Sequence, residues 1–460
     1  MLRTVGDQAS LWESILPEAC LGMPAELTAV DRLLADERFF APYRVFFHAT
    51  LGRPSIPMET YLRLMFLKYR YKLGFEPLCR EVADSITWRR FCRIGLGGSV
   101  PHPTTLMKIT TRCGETAVAA LNDALIAKAA EARVLKLNRV RADTTVVEAN
   151  VAYPVDSSLL AKGVARLGRL AARARELGLA TRTPLPDRTR SVYRRARDVI
   201  NTLRQRGELA RDKVHRLNAE LASIARRTVA GADAVVRNAR RTLARRRSRA
   251  TGRQRAVIEQ LATLAERVGH IAEQTRQRVV DGVTPSGATR IVSLHDPDAR
   301  PIRKGRLGKP VEFGYKAQLV DNDDGIIVDH NVEAGNPPDA PMLTPAIERI
   351  RARTGRTPRA VTADRGYGEA AVEDALRAAG VRYVALPRKG RPSAARRQIE
   401  HRRAFRRMVR WRTGCEGRIS CAKRDFGLAR TRIDGLAGAR TWIGHGIFNH
   451  NLVKIAALTT

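Results

Sequence analysis

Positive charge is distributed along this chain in blocks, and that distribution limits the fold before any motif is read. Of 460 residues, 83 are Lys or Arg and 46 are Asp or Glu, a formal net charge of +37. Residues 161–290 hold 31 bases and 11 acids, and residues 388–440 hold 17 and 4. These two segments carry almost the whole excess. Neither can sit in a close-packed interior, so each must line a surface, and nucleic acid is the natural anionic partner. The remainder is close to neutral. With 44% hydrophobic residues the chain has enough apolar side chain for a core, which excludes wholesale disorder. The length predicts two or three domains.

Three further classes drop out. No apolar run reaches ~18 residues, so no membrane-spanning helix is expected. Residues Met1–Ser10 are polar and lack the apolar centre of a secretion signal. Six cysteines, with no C-x-x-C pair and no histidine at ligand spacing, suggest neither a disulfide framework nor a zinc site, and place the chain in a reducing cytosol.

The chain reads as three textures. Residues 1–132 are helical. Tyr61, Leu64, Met65 and Tyr69 recur at helical spacing after Pro57, a second helix follows from Leu78 to Phe91, and Pro103-Thr104-Thr105 opens a third through Thr110. Three short helices with glycine breaks allow a helix-turn-helix-like DNA-reading unit or a plain packing domain. Residues 134–147 are rich in β-branched side chains and read as a strand. In the basic block, Val214, Leu217, Leu221 and Ile224, then Val257, Leu261, Leu264, Val268 and Ile271, form two heptad seams, which predict an antiparallel helical hairpin. Strands are expected over 290–294, 313–320, 326–332, 359–363 and 382–386, with helices over 339–353 and 369–379. This is an α/β layer fold with a mixed sheet, and its first strand is followed by a long helical, coiled-coil-like insertion.

Acids at strand ends draw notice in so basic a chain. Asp143 lies in the first strand. Asp364 ends the strand 359–363, where ligands of open α/β sheets gather. A helix read from Phe405 to Lys423 carries an apolar stripe of Met408, Trp411, Cys415, Ile419 and Ala422. Arg412, Glu416 and Lys423 fall within roughly 40° of one another on one face of it. Spacing alone leaves two readings of these three: an exposed run of ion pairs, or a metal-holding carboxylate between two phosphate-gripping cations. Gly414 and Gly417 weaken the helix by ~1 kcal/mol each relative to Ala, which suits a close approach of backbone or ligand. Other candidates are weaker. Asp156 fits a turn and Glu148 faces away from Asp143. His295 fits a core or surface position. Trp411 and Trp442 fit either core packing or stacking on an unpaired base. Lys304, Arg388 and Lys389 sit in basic loops suited to phosphate contact.

The ordered set Asp143, Asp364, Glu416, with R-x3-E-x6-K formed by Arg412, Glu416 and Lys423, resembles the DDE transposases of bacterial insertion sequences. A-D-R-G-Y-G around Asp364, A-D-T-T-V-V-E-A-N followed by Y-P-V-D-S near Asp143, and the closing G-H-G-I-F-N-H-N-L-V-K are similar to that family. Residues 54–113, with P-H-P-T-T-L, resemble its helical N-terminal domain. Val409 stands where the family signature often carries Tyr, and the basic insertion follows the first strand, whereas some relatives place theirs late in the core.

The resemblance implies an RNase H-like core of residues 133–156 plus 290–460, a DNA-binding domain of residues 1–132 and a basic insertion of residues 157–289. It implies a bacterial cytosolic, nucleoid-associated enzyme. It also implies that the enzyme acts as a homodimer or larger assembly on double-stranded DNA, both transposon terminal inverted repeats and target. Phosphodiester cleavage must activate a water and steady a leaving 3′-oxygen, and two Mg²⁺ or Mn²⁺ ions ~3.5–4 Å apart do both. On this assignment Asp143 bridges both ions, Asp364 helps hold one and Glu416 the other. A water cuts the end, and the freed 3′-OH then attacks target DNA. A nuclease that cuts without joining, or an inactive DNA-binding descendant, remain the alternatives, although all three acids and both cations are present. DNA affinity should fall steeply with salt, with log K against log[salt] losing ~0.9 per phosphate neutralised. A flat profile in a filter-binding titration would remove the basic blocks as the DNA grip.

Overall fold

The computed structural model describes residues 1–6, 17, 22–246, 251–303, 308 and 310–459. They form two compact units, one of residues 1–148, 315–333 and 337–460, the other of residues 149–314 and 334–336.

The first unit opens with helices α1 (Ala25–Leu34), α2 (Met58–Arg70), α3 (Phe75–Asp84), α4 (Ile86–Phe91) and α5 (Pro103–Glu131). Helix α2 starts after Pro57, as expected, and buries Tyr61, Leu64, Met65 and Tyr69. It also buries Arg63, whose guanidinium pairs with Asp31 at 2.8 Å and Glu59 at 3.2 Å, so the helix is enclosed rather than amphipathic. Two expectations are corrected. The helix read over Leu78–Phe91 is broken at Ser85, whose hydroxyl accepts from the Trp88 amide and caps α4. The short third helix runs on to Glu131, with a kink at Gly114 where φ is +56°. A residue without Cβ tolerates that conformation.

The sheet runs β3 (Val311–Asn322), β1 (Arg139–Glu148), β5 (Ala360–Ala363), β6 (Tyr383–Ala385), with β4 (Ile327–Ala334) paired to β3. Strands β1, β5 and β6 are mutually parallel, and β3 and β4 form a hairpin closed by a turn with Gly325 at φ +77°. Mixed direction and this order are those of the RNase H-like core. Helices α10 (Ala340–Thr354) and α11 (Ala370–Ala378) supply the crossovers to β5 and β6. The helix read from Phe405 to Lys423 is two, α13 (Arg403–Arg412) and α14 (Gly414–Asp425), meeting at Thr413, after the short α12 (Ala394–His401).

Helix α15 (Gly435–Thr459) is buried over most of its length and packs on α1, α2 and α5. The helices of residues 1–132 therefore pack in the same compact unit as the sheet. The G-H-G-I-F-N-H-N-L-V-K run has a local reason. The Asn451 side chain donates to the Ile327 carbonyl at 2.8 Å and accepts from the Ile327 amide at 2.9 Å, which tethers α15 to the first residue of β4.

In the second unit, α8 (Glu208–Arg246) and α9 (Gly252–Val279) pack along the two heptad seams, with Leu221, Ile224, Leu261, Leu264, Val268 and Ile271 buried. The expected hairpin is only half of this assembly. Helices α6 (Asp156–Glu176) and α7 (Thr189–Thr202) complete a four-helix cluster, contributing Leu160, Val164, Leu167, Val192 and Val199. Asp156 opens α6, buried between Arg278 and Arg290. The strand expected over 290–294 is absent. Ile291 instead exchanges both backbone hydrogen bonds with the Gln274 side chain, and the strand comes later as β2 (Arg300–Arg303), antiparallel to the start of β3. His295 lies in this unit beside Arg166. Among the described residues no helix is long and apolar enough to cross a membrane.

Asn451→Ala should strand a buried amide and a buried carbonyl together. The expected loss is about 2 to 4 kcal/mol in urea unfolding, and a change under 0.5 kcal/mol would mean the tether is replaced by water.

Candidate active site

Strand pairing brings the first two acids together. The β1–β5 register ends with Ala142 opposite Ala363, so the next residue on each parallel strand is an aspartate, Asp143 and Asp364. Neighbouring strands lie ~4.8 Å apart, which puts two carboxylates side by side. Asp143 accepts from the Thr144 amide at 2.8 Å. Asp364 leaves the strand extended and accepts from the Gly366 amide at 2.8 Å, capping the short turn Arg365–Tyr367.

The A-D-R-G-Y-G run is explained by what surrounds it. A Cβ on Gly366 would lie 2.9 Å from an Asp339 carboxylate oxygen and 3.0 Å from one of Asp364. A Cβ on Gly368 would strike the Pro387 carbonyl. Tyr367 is buried, with its hydroxyl accepting from Gln318 at 3.0 Å. Arg365 donates to the Arg388 and Gly390 carbonyls and so fixes the 388–390 loop.

The third acid arrives on the α13–α14 run. Arg412, the last residue of α13, reaches Asp143 at 3.2 Å and Glu416 at 3.7 Å, one guanidinium joining two acids that are 273 positions apart. Asp143 and Arg412 are largely enclosed, whereas the Glu416 side chain is 70% exposed. Glu416 sits in the first turn of α14 and Lys423 in its last, the favourable ends for each charge.

The electrostatics carry the mark of crowding. Burial, with the charges of Asp364 and Glu416 adding to it, pushes Asp143 up to about 6. Burial and the charge of Asp339 hold Asp364 above its ordinary range. Hard carboxylate oxygens held close together in a partly desolvated place are a donor set that a small divalent cation would relieve, so the residues fit such an ion. Among the described residues no three acidic, histidine or cysteine side chains already converge as a ligand cage, and Arg412 occupies the space between Asp143 and Glu416.

The remaining candidates divide. Arg388 is committed to acids, its guanidinium 3.5 Å from Glu373 and its amide donating to Glu400 at 2.8 Å. Lys389 pairs with Glu369 at 2.9 Å and stays more than half exposed. Lys304 lies outside the described residues. Glu148 pairs with Arg430 at 2.9 Å. Trp442 is core, its indole N–H donating to the Gly427 carbonyl, which removes it as a base platform. Trp411 is packed by protein, with the guanidiniums of Arg139 and Arg141 over its ring at 4.4 and 4.5 Å. Val409 packs with Phe405 and Met408.

Sequence reasoning missed Asp339 and the buried Lys316 that pairs with it at 2.6 Å. Asp339 precedes α10 and reads as a helix cap; only the fold carries it to Asp364.

Residues 18–112 match the family described as Transposase domain (DUF772), and residues 288–452 match the one described as Transposase DDE domain. Asp364 and Glu416 fall inside the second match, and Asp143 falls between the two. A search of curated proteins and a search of solved structures each returned no match.

The raised Asp143 carboxyl predicts a pH effect on stability. Below the unfolded value near 3.8 the group is protonated in both states and opposes nothing. As pH rises through about 6 the folded chain must ionise a desolvated carboxyl, with a loss of about 3 kcal/mol. Thermal melts in chelator at pH 4 and 7.5 should show a smaller fall for Asp143→Asn than for the parent. Parallel falls would show that the carboxyl is not desolvated.

Proposed function

Because the chain belongs to the DDE transposases of the insertion-sequence type, we propose that it cuts DNA at the ends of its element and joins the freed 3′-hydroxyl to target DNA, with Asp143, Asp364 and Glu416 as the catalytic carboxylates. The observation that carries this reading is the pairing of Asp143 and Asp364 at adjacent strand ends, with Arg412 linking Asp143 to Glu416.

Two Mg²⁺ or Mn²⁺ ions held by these acids would supply the activated water and stabilise the departing 3′-oxygen. The chain's own residues do the rest. Asp143 and Asp364 offer their oxygens from rigid strand ends. Glu416 closes the site from a helix whose exposed position leaves room for a phosphodiester. Arg412 balances the acids in the free protein and is placed to turn to a non-bridging phosphate oxygen. Lys423 extends that grip along α14. No serine or cysteine nucleophile is needed; Cys415, beside Glu416, is buried and its thiol is pushed far up by burial.

DNA is held by the basic surfaces. Helix α13 buries Phe405 and Met408 and exposes Arg403, Arg406, Arg407 and Arg410 in the turns before Arg412. In the second unit α7 exposes Arg190, Arg194 and Arg197 on one face. The helices of residues 1–132 are assigned to the terminal repeats, Lys389 to phosphate, and the working form to a homodimer or larger assembly in the bacterial cytosol.

Asp143→Asn, Asp364→Asn and Glu416→Gln should each lower Mg²⁺-dependent cleavage of an end-bearing duplex by more than ~10³-fold, with gel-shift affinity for that duplex retained. Wild-type turnover in any one of them would exclude that carboxylate. A protein that nicks but never yields joined product would instead be a nuclease of the same fold.

A further inference from the structure

We propose that Asp321 is a positioning residue for this reaction, tying the strand that carries Asp143 to the helix that carries Glu416. The inference rests on the catalytic reading above and concerns how the third acid is held.

Glu416 has little of its own to hold it, being mostly exposed and 3.7 Å from Arg412. Its place is set by where α14 sits. Asp321, near the end of β3, is fully buried. Its carboxylate accepts from Arg141 Nε at 2.9 Å and Nη2 at 2.8 Å. Arg141 stands two residues before Asp143, on the same strand face. The third arm of that guanidinium, Nη1, donates to the Trp411 carbonyl at 2.7 Å, at the end of α13. On its other side Asp321 lies 3.6 Å from Arg418 Nε, two residues after Glu416. One carboxylate thus engages the arginine flanking the first acid and the arginine flanking the third.

Two glycines record how close this assembly is. A Cβ on Gly414 would lie 2.4 Å from Arg141 Nη1, so the first residue of α14 rests directly on that guanidinium. A Cβ on Gly325 would overlap the Arg418 guanidinium, which lies across the β3–β4 turn. By contrast Gly417, one turn further along α14, has nothing within 4 Å. The close approach expected near these glycines is real at Gly414 and is made by protein. A buried charge cluster of this kind adds little net stability over apolar packing of the same volume. What it imposes is a defined geometry: Arg141 makes all its hydrogen bonds only in this arrangement, and Arg418 is drawn to the same carboxylate by charge.

Full-length protein is compared as parent, Asp321→Asn, Gly414→Ala and Glu416→Gln. Asp321→Asn keeps volume and removes the shared charge; Gly414→Ala keeps every charge and wedges α14 off Arg141. Single-turnover cleavage at saturating end duplex should fall ~100-fold in both, the loss associated with a misplacement of ~1 Å. The half-saturating duplex concentration should stay within about two-fold, a split that general unfolding does not produce. Mn²⁺ affinity, read by the free-ion electron paramagnetic resonance signal with Mn²⁺ alone, should weaken ~10-fold, as for lost support of a metal ligand. Should Asp321→Asn fail to fold by circular dichroism, Gly414→Ala decides. Parental cleavage and Mn²⁺ affinity in a folded variant, with Glu416→Gln inactive, overturn this inference alone, as does a loss of duplex binding that matches the loss of cleavage. A parent protein that neither cleaves nor takes up Mn²⁺ overturns the catalytic reading, and this one with it.

Discussion

Two aspartates at the ends of adjacent parallel strands present the electrostatic problem around which the first unit is built. Asp143 and Asp364 follow the last register pair of β1 and β5, so the sheet itself forces like charges together in a partly desolvated place. In a chain carrying +37 a local excess of negative charge has to be made on purpose. Arg412 offsets part of it, linking Asp143 to Glu416, and Lys316 offsets another part by pairing with Asp339, the fourth acid nearby. The acids are thus partly balanced by two cations, Arg412 and Lys316, in the free protein.

The supporting structure works through close approach rather than bulk. Gly366 leaves space for two carboxylates, Gly368 lets the 387–389 loop lie against the Asp364 turn, and Gly414 lets α14 rest on Arg141. Around them the strong contacts are charged and buried: Arg141 on Asp321, Arg396 on Glu373, Arg349 and Arg353 on Asp329. Removing one partner from such a pair strands a charge in a poor solvent, so each pair specifies one geometry even where its net stabilisation is small. The basic excess is used differently. On α13 the arginines stand outward while Phe405 and Met408 face in, so the same ten residues build core and present cationic surface.

Much of the candidate site is legible in the sequence. Asp143 in a β-branched run, Asp364 just after a short strand, and Arg412, Glu416 and Lys423 on one helical run are local patterns, and local patterns survive in a sequence. The heptad seams of α8 and α9 were equally visible. Their partners α6 and α7 were not, because Leu160, Val164 and Leu167 become a core only when α9 lies against them. The extended segment at Ile291 misled for a related reason: its backbone is satisfied by a glutamine side chain from the preceding helix, and no rule of strand propensity foresees that. Asp321 follows directly on an expected strand, and only the fold makes it the buried anchor between two arginines.

By itself the sequence determined which acids and cations are candidates for a site, the main helical and strand textures, and the places where positive charge must face outward, since these follow from residue type and short-range periodicity. Only the tertiary structure decided what those residues meet. The meeting of Arg412 with Asp143, of Asp339 with Asp364 and of Asp321 with both Arg141 and Arg418 joins positions up to 277 apart in number. Contacts at such separation are set by how whole elements pack, and a one-dimensional pattern does not contain that distance.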